Sequence, residues 1–134
     1  MEQDRVFDTS ALITFLEQEP GAEEVADLIE RTASANRLRL ICVVNLGEVW
    51  YDIARKRKDA DRVVNELLGL GFSVVDVDWE ITRSAAQLKA QYKLGFADSY
   101  AAALAKLRGA ELVTRDNDFK KLGREVKVRL LKGK

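Results

Sequence analysis

Four carboxylates in this 134-residue chain stand at places where a fold can put them to chemical use: Asp8, Glu48, Asp98 and Asp116, with Asp118 two residues past the last. Each lies at the end of a short apolar run or at the start of a helical pattern. The rest of the inventory narrows what they can do. The chain has no histidine and a single cysteine, Cys42. A Ser-His-Asp or Cys-His system therefore cannot be built within it. Nor can a His/Cys zinc site, or a disulfide within the chain. Cys42 sits inside an apolar run and reads as a small buried residue rather than a nucleophile. Acid, base or metal chemistry must rest on carboxylates, lysines and hydroxyls.

Carboxylates that converge repel one another, and crowding and burial both raise their pKa values. A divalent cation removes the conflict. Oxygen-only ligands favour Mg²⁺ or Mn²⁺ over zinc or copper. A metal held by acids, with positions left for water, suits phosphodiester hydrolysis, because it generates hydroxide and neutralises charge in the transition state. Each acid also has a plain structural role open to it. Asp8, before Thr9 and Ser10, suits a helix N-cap. Glu48 follows Asn45 at capping-box spacing. Asp98 suits the first turn of a helix, and Asp116 and Asp118 suit a turn.

The elements that must position these acids alternate. Arg5 to Asp8 is a short strand-like segment. Ala11, Leu12, Phe15 and Leu16 form one helical face that Pro20-Gly21 breaks, and Ala22 to about Ala35 is a second helix. Leu38 to Val44 reads as a strand buried on both faces. Leu46, Val49, Trp50 and Ile53 make the next helical stripe, which assigns Trp50 to the core and turns Glu48 away from it. Val63, Val64, Leu67 and Leu68 mark a helix stopped by Gly69 and Gly71. Phe72 to Val77 is a third strand. Ile81, Ala85, Leu88 and Tyr92 mark a helix stopped by Gly95, and Ala97 to Arg108 an alanine-rich helix in which Tyr100 and Leu104 read as packing. Leu112 to Thr114 is a strand, a brief helix surrounds Phe119, and Val126, Val128 and Leu130 alternate with Lys127 and Arg129 as an edge strand. One domain over residues 1–134 is expected, of α/β class with a mostly parallel sheet. Ligands in such sheets bind beyond the carboxyl ends of the strands.

The segments that carry the acids resemble those of PIN-domain ribonucleases, specifically the VapC-like toxins of type II toxin–antitoxin pairs. They are Val6-Phe7-Asp8-Thr9-Ser10-Ala11-Leu12-Ile13, Asn45-Leu46-Gly47-Glu48-Val49, Phe96-Ala97-Asp98-Ser99-Tyr100-Ala101-Ala102-Ala103, and Val113-Thr114-Arg115-Asp116-Asn117-Asp118-Phe119. Their order and intervals match over essentially the whole chain. The resemblance implies a three-layer α/β/α domain with a five-stranded parallel sheet in the order 3-2-1-4-5. It implies Mg²⁺ or Mn²⁺ bound by Asp8 and Asp98, with Glu48 and Asp116 completing an acidic quartet, Asp118 an additional acid and Thr114 a supporting hydroxyl. It also implies RNA as substrate, an inhibitory antitoxin partner and a homodimer. Gly47 departs from the family pattern. Inside a first helical turn it costs about 0.5–1 kcal/mol against alanine, and close approach of a neighbouring backbone is the expected reason for it.

Lysine and arginine total 22, as do aspartate and glutamate, but the zero is a cancellation. Residues 1–67 carry 9 basic and 14 acidic side chains, a net −5, and residues 68–134 carry 13 and 8, a net +5. Arg115, Lys120 and Lys121 flank Asp116 and are the candidates for holding RNA phosphates. Arg55-Lys56-Arg57-Lys58 falls at a helix end, where cations favour the dipole. Phe15 and Leu16, with the Val25/Ile29 helix, belong either to the core or to a dimer or antitoxin surface. The N-terminal residues do not read as a signal peptide and no run reaches membrane-spanning length, so a cytoplasmic protein is expected. Three readings stand at this point. The first is a metal-dependent endoribonuclease, as toxin or as RNA-maturation enzyme. The second is a receiver-like phosphoacceptor domain, which would want paired acids early in the chain and a lysine after the last strand. The third is a non-catalytic, partner-binding regulatory module.

Overall fold

The computed structural model describes residues 2–56 and 58–132; Arg57 of the basic stretch named above lies outside them. The chain runs β1 (Arg5–Phe7), α1 (Thr9–Leu16), α2 (Ala22–Ser34), β2 (Arg39–Cys42), α3 (Val43–Arg55), α4 (Ala60–Leu68) and β3 (Ser73–Val75). It continues through α5 (Trp79–Tyr92), α6 (Phe96–Arg108), β4 (Glu111–Thr114), a 3-10 turn (Asn117–Leu122) and β5 (Lys127–Leu130). The five strands pair in parallel in the order β3-β2-β1-β4-β5, as expected from the resemblance.

Successive residues of a strand point to opposite faces, and the sheet divides its core accordingly. Val6, Leu40, Cys42 and Leu112 face α5 and α6, where Ala85, Leu88, Ala101, Leu104 and Ala105 meet them. Phe7, Ile41 and Val113 face the opposite way, onto Leu12 of α1, Leu28 of α2, Val49 and Ile53 of α3 and Leu67 of α4. Phe7 meets Phe72 edge-on at 5.4 Å between ring centres. Both faces are covered, as a parallel sheet requires. At the amino end of the sheet Arg5 is buried. Its Nε donates to Glu111 and its Nη1 to Thr32, and Glu2 pairs with the same guanidinium.

Two boundaries and two side-chain environments differ from expectation. β2 ends at Cys42, and Val43 and Val44 are already helical. Asn45 therefore lies inside α3 rather than capping it, and no capping box with Glu48 forms. β-Branched residues favour strands only weakly, and the chain beyond Cys42 leaves the sheet to bring α3 over it. α5 is closed by Lys93 in the left-handed conformation (φ 58°), while Gly95 is the N-cap of α6. Trp50 is not core. It is 42% exposed and donates from its indole nitrogen to Asp61 of α4. Gly47 shields no close approach, since a Cβ there would meet nothing within 4 Å.

Candidate active site

In the strand order β3-β2-β1-β4-β5 the connections reverse between β1 and β4, and the carboxyl ends of those two central strands carry Asp8 and Thr114. Asp8 is the N-cap of α1, so its capping role and its place at the sheet's carboxyl end coexist. It is 1% exposed. Its Oδ1 accepts from the Ala11 amide at 2.9 Å and the Ser10 hydroxyl at 2.8 Å, and its Oδ2 accepts from the Thr114 hydroxyl at 2.5 Å. Those hydroxyls are held in turn. The Arg115 amide donates to Ser10 Oγ, and the Asp116 amide donates to Thr114 Oγ1. The chain leaving β4 thus grips Asp8 through two hydroxyl relays. Burial nevertheless dominates, pushing the Asp8 carboxyl from 3.8 up to about 6 against the pull of these bonds.

A second relay positions Glu48. Thr9 Oγ1 donates to Glu48 Oε1 at 2.6 Å, and Asn45 Nδ2 donates both to Thr9 Oγ1 and to the Ala97 carbonyl. Asn45 thereby ties the starts of α1, α3 and α6 together. Glu48 itself is exposed on the face away from the α3 stripe, as its spacing predicts.

Asp98 is different in kind. It is half-buried in the first turn of α6, and its carboxyl accepts no hydrogen bond among the described residues. Gly95 leaves room for it; a Cβ at Gly95 would stand 3.2 Å from Asp98 Oδ2. Desolvation first, then Asp116, Glu48 and Asp118 in that order, push its pKa from 3.8 to about 6. The last three causes are a statement about geometry. Acids from α3, from α6 and from the segment after β4 share one electrostatic neighbourhood, and Asp98 in turn raises Asp8. Asp116 caps the 3-10 turn by accepting from the Asp118 amide, so the turn role read for it is also filled.

The donor set is hard oxygen throughout. Asn45 Oδ1 adds a buried amide oxygen with no hydrogen-bond partner, and Cys42 is buried with its thiol pKa pushed up by desolvation. These residues fit a hard divalent cation and not a soft one. Among the described residues no three acidic side chains group tightly enough to enclose an ion as they stand. The acids are nevertheless near enough to raise one another's pKa. Ser10, Thr9 and Asn45 were not singled out by the sequence reading as supports. Ser10 and Thr9 were legible only as cap neighbours of Asp8, and Asn45 only as a cap.

The basic candidates separate. Arg115 turns back, pairing through Nη1 with Glu19 at 2.9 Å and Thr14 at 3.1 Å. Lys121 Nζ donates to the Tyr92 carbonyl at 3.0 Å. Lys120 is exposed and makes no side-chain bond among the described residues. Arg55, Lys56 and Lys58 are taken up by Asp52 and Glu17, which supports their helix-end reading.

Residues 5–125 match the model of the PIN domain family. This chain is a PIN domain. Within that family it is 31% identical over 123 residues to Ribonuclease VapC42 of Mycobacterium tuberculosis and to a VapC ribonuclease of Mycobacterium bovis. The alignment spans 85% of this chain and 92% of each relative, which places the chain with the VapC ribonucleases. Its fold matches the VapBC2 complex of Rickettsia felis, solved with a promoter DNA fragment, at a TM-score of 0.78 and 17% identity, over 95% of this chain and 98% of that one. It also matches the sarcin-ricin-loop-cleaving toxin VapC20 of M. tuberculosis at a TM-score of 0.69 and 18% identity, over 92% of this PIN domain and 98% of that chain. No helix of the described PIN domain is long and apolar enough to cross a membrane.

Proposed function

We propose that this PIN domain is a metal-dependent endoribonuclease, the toxin of a toxin–antitoxin pair, with Asp8, Glu48, Asp98 and Asp116 as its catalytic and metal-holding acids. The observation that carries the reading is Asp98. It is a carboxyl without hydrogen-bond donors among the described residues, pushed up to about 6 by desolvation and by three other acids. Such a group calls for a cation. Mg²⁺ or Mn²⁺ bound there supplies charge neutralisation at the scissile phosphate and an activated water.

The chain's own residues do the rest. Asp8 is the fixed point, because Thr114, Ser10 and the Ala11 amide allow its carboxylate no other rotamer without losing bonds. Glu48, steadied by Thr9, the half-buried Asp116 and the exposed Asp118 supply the acids that can move inward. Lys120 and Lys121 hold RNA phosphates beside Asp116. Arg115 acts from underneath, bracing the post-β4 segment against Glu19. The VapC relationship favours a toxin over an RNA-maturation enzyme, and with it an antitoxin partner, a homodimer and a cytoplasmic site of action.

The test is a cleavage assay on structured and single-stranded RNA in Mg²⁺, Mn²⁺ or EDTA. The wild-type chain is expected to cut only with metal, and Asp8→Asn and Asp98→Asn are each expected to abolish cutting. Wild-type rates in both variants would move the active centre elsewhere.

A further inference from the structure

The α5–α6 turn carries a feature that the acidic site does not use. Phe96, the first residue of α6, is 64% exposed. Its ring rests against Tyr100 one turn on, centroids 5.2 Å apart and planes at 60°. Tyr100 is itself fixed, being buried with its hydroxyl against that of Thr82. Beside the pair opens an apolar cleft of about 220 Å³, lined by Thr82, Ala85, Ala86 and Lys89 of α5 and by Ser99 and Tyr100. That is small for a drug-sized ligand and suits one flat ring.

Its setting selects the kind of ring. Side chains lean toward the N-terminus of their helix, so Phe96 and Asp98 both lean over the open end of α6, from opposite sides, their Cα atoms about 5–6 Å apart by helix geometry. The same turn is crowded with cations. Lys89 Nζ donates to the Leu94 carbonyl, Lys121 Nζ donates to the Tyr92 carbonyl, and Lys93, which lies between Tyr92 and Leu94 in the chain, is exposed with no side-chain partner among the described residues. Lys93 also holds the left-handed conformation that closes α5, a position that glycine fills most readily. A lysine kept there at a backbone cost, three residues before an exposed aromatic and five before Asp98, matches a polyanion with flat bases rather than an apolar protein face.

We infer that Phe96 is the platform on which a nucleobase of the RNA strand stacks beside the cleaved phosphodiester, with Lys93 holding the neighbouring phosphate. Phe96 is thus a substrate-positioning residue, and the inference rests on the ribonuclease reading above. Stacking on an aromatic is sequence-tolerant and strong enough to register strand at the site.

The test uses the full chain in Mg²⁺ with a labelled single-stranded RNA whose cut position has been mapped on the wild type, and a series of the same RNA carrying one abasic residue walked across that position. Phe96→Leu is expected to raise KM between about 5- and 150-fold, the range that base stacking spans, with kcat little changed, and Phe96→Trp to stay near wild type. One abasic position is expected to raise the wild-type KM by a similar factor and to add nothing further in Phe96→Leu. Lys93→Gly is expected to melt no lower than wild type and yet to raise KM. Cleavage by the wild type together with an unchanged KM in Phe96→Leu would overturn the platform while leaving the ribonuclease reading intact. A change in oligomeric state of Phe96→Leu in sedimentation, in place of the KM effect, would overturn it in favour of a protein contact. No cleavage by the wild type, with Asp98→Asn equally silent, would remove the ribonuclease reading itself.

Discussion

Asp8 and Asp98 reach a pKa of about 6 by different routes, and the difference is measurable. Asp8 is raised chiefly by burial and is restrained by three hydrogen bonds, whereas Asp98 is raised by desolvation and by its acidic neighbours. Both have folded pKa values above the unfolded value. The folded chain therefore holds extra protons between about pH 4 and 6, and stability falls as pH rises through that window. In EDTA, thermal melts are expected to be higher at pH 5 than at pH 7. For the fully buried Asp8 the shift corresponds to an upper limit of about 3 kcal/mol, and Asp8→Asn is expected to narrow the gap between the two pH values. Added Mg²⁺ should stabilise more at pH 7 than at pH 5, because ligation requires the deprotonated acids. Equal melts at both pH values in EDTA would show that neither acid is strained. Thr114 gives a second handle on the same carboxyl. Thr114→Val removes the 2.5 Å donor to Asp8, a hydrogen bond to a charged acceptor worth about 1.5–3 kcal/mol. It is expected to destabilise the fold at pH 7 and move the acidic limb of the pH–rate profile upward, with Thr114→Ser restoring both.

At the scale of elements, two glycines near the acids separate fold from site. Gly47 lies in an exposed stretch of α3 with open space around its Cα, so Gly47→Ala is expected to stabilise by about 0.5–1 kcal/mol and to leave cleavage unchanged. Gly95 has ordinary extended backbone angles, φ −63° and ψ 161°, so alanine meets no backbone strain there. Its Cβ would instead press on Asp98 Oδ2 at 3.2 Å. Gly95→Ala is expected to melt like wild type and to lose activity; equal activity would mean that the Asp98 carboxyl has freedom to move aside. The same elements show what the sequence made legible. The mostly parallel α/β class and the gathering of Asp8, Glu48, Asp98 and Asp116 at one end follow from apolar runs and spacing, and the strand order from the family resemblance. The relays did not show. Asn45 reads as a cap because Glu48 stands three residues later, and only the early start of α3 at Val43 turns it inward to join Thr9 and Ala97. Trp50 fits the apolar stripe by period, but α4 reaches it with Asp61 rather than with an apolar surface. Periodicity reports which way a side chain points and is silent on what the neighbouring element brings to meet it.

For the whole molecule, the sheet keeps its two electrostatic tasks at opposite ends. Arg5, buried among Glu2, Thr32 and Glu111 at the amino end, braces β1 against β4, far along the strands from Asp8. Breaking a buried pair costs about 3–5 kcal/mol when one partner is left behind. Arg129 also pairs with Glu111 and softens the loss, so Arg5→Met belongs at the lower end of that range. Its expected signature is a lower melting temperature with unchanged kcat per folded molecule. At the carboxyl end the proposed activity requires the acids to be neutralised and the substrate's phosphates to be held, and the bases of residues 68–134, a net +5, include the candidates for the second task, Lys120 and Lys121. Each phosphate contact on single-stranded RNA contributes a slope of about −0.7 to the log–log dependence of binding on salt. Lys120 has no side-chain partner among the described residues and Lys121 caps the Tyr92 carbonyl, so the two answer differently. Lys120→Ala is expected to reduce the salt slope of 1/KM by about 0.7 with no change in melting. Lys121→Ala is expected to reduce the slope by the same amount and to lower the melting temperature slightly, because it also frees the end of α5. Arg115→Ala provides the contrast. Its guanidinium is spent on Glu19 and Thr14, so it should weaken the fold and leave the salt slope where it was. A loss of about 0.7 from the slope in Arg115→Ala, with none lost in Lys120→Ala, would exchange their roles and place the RNA backbone on the α1 side of Asp116.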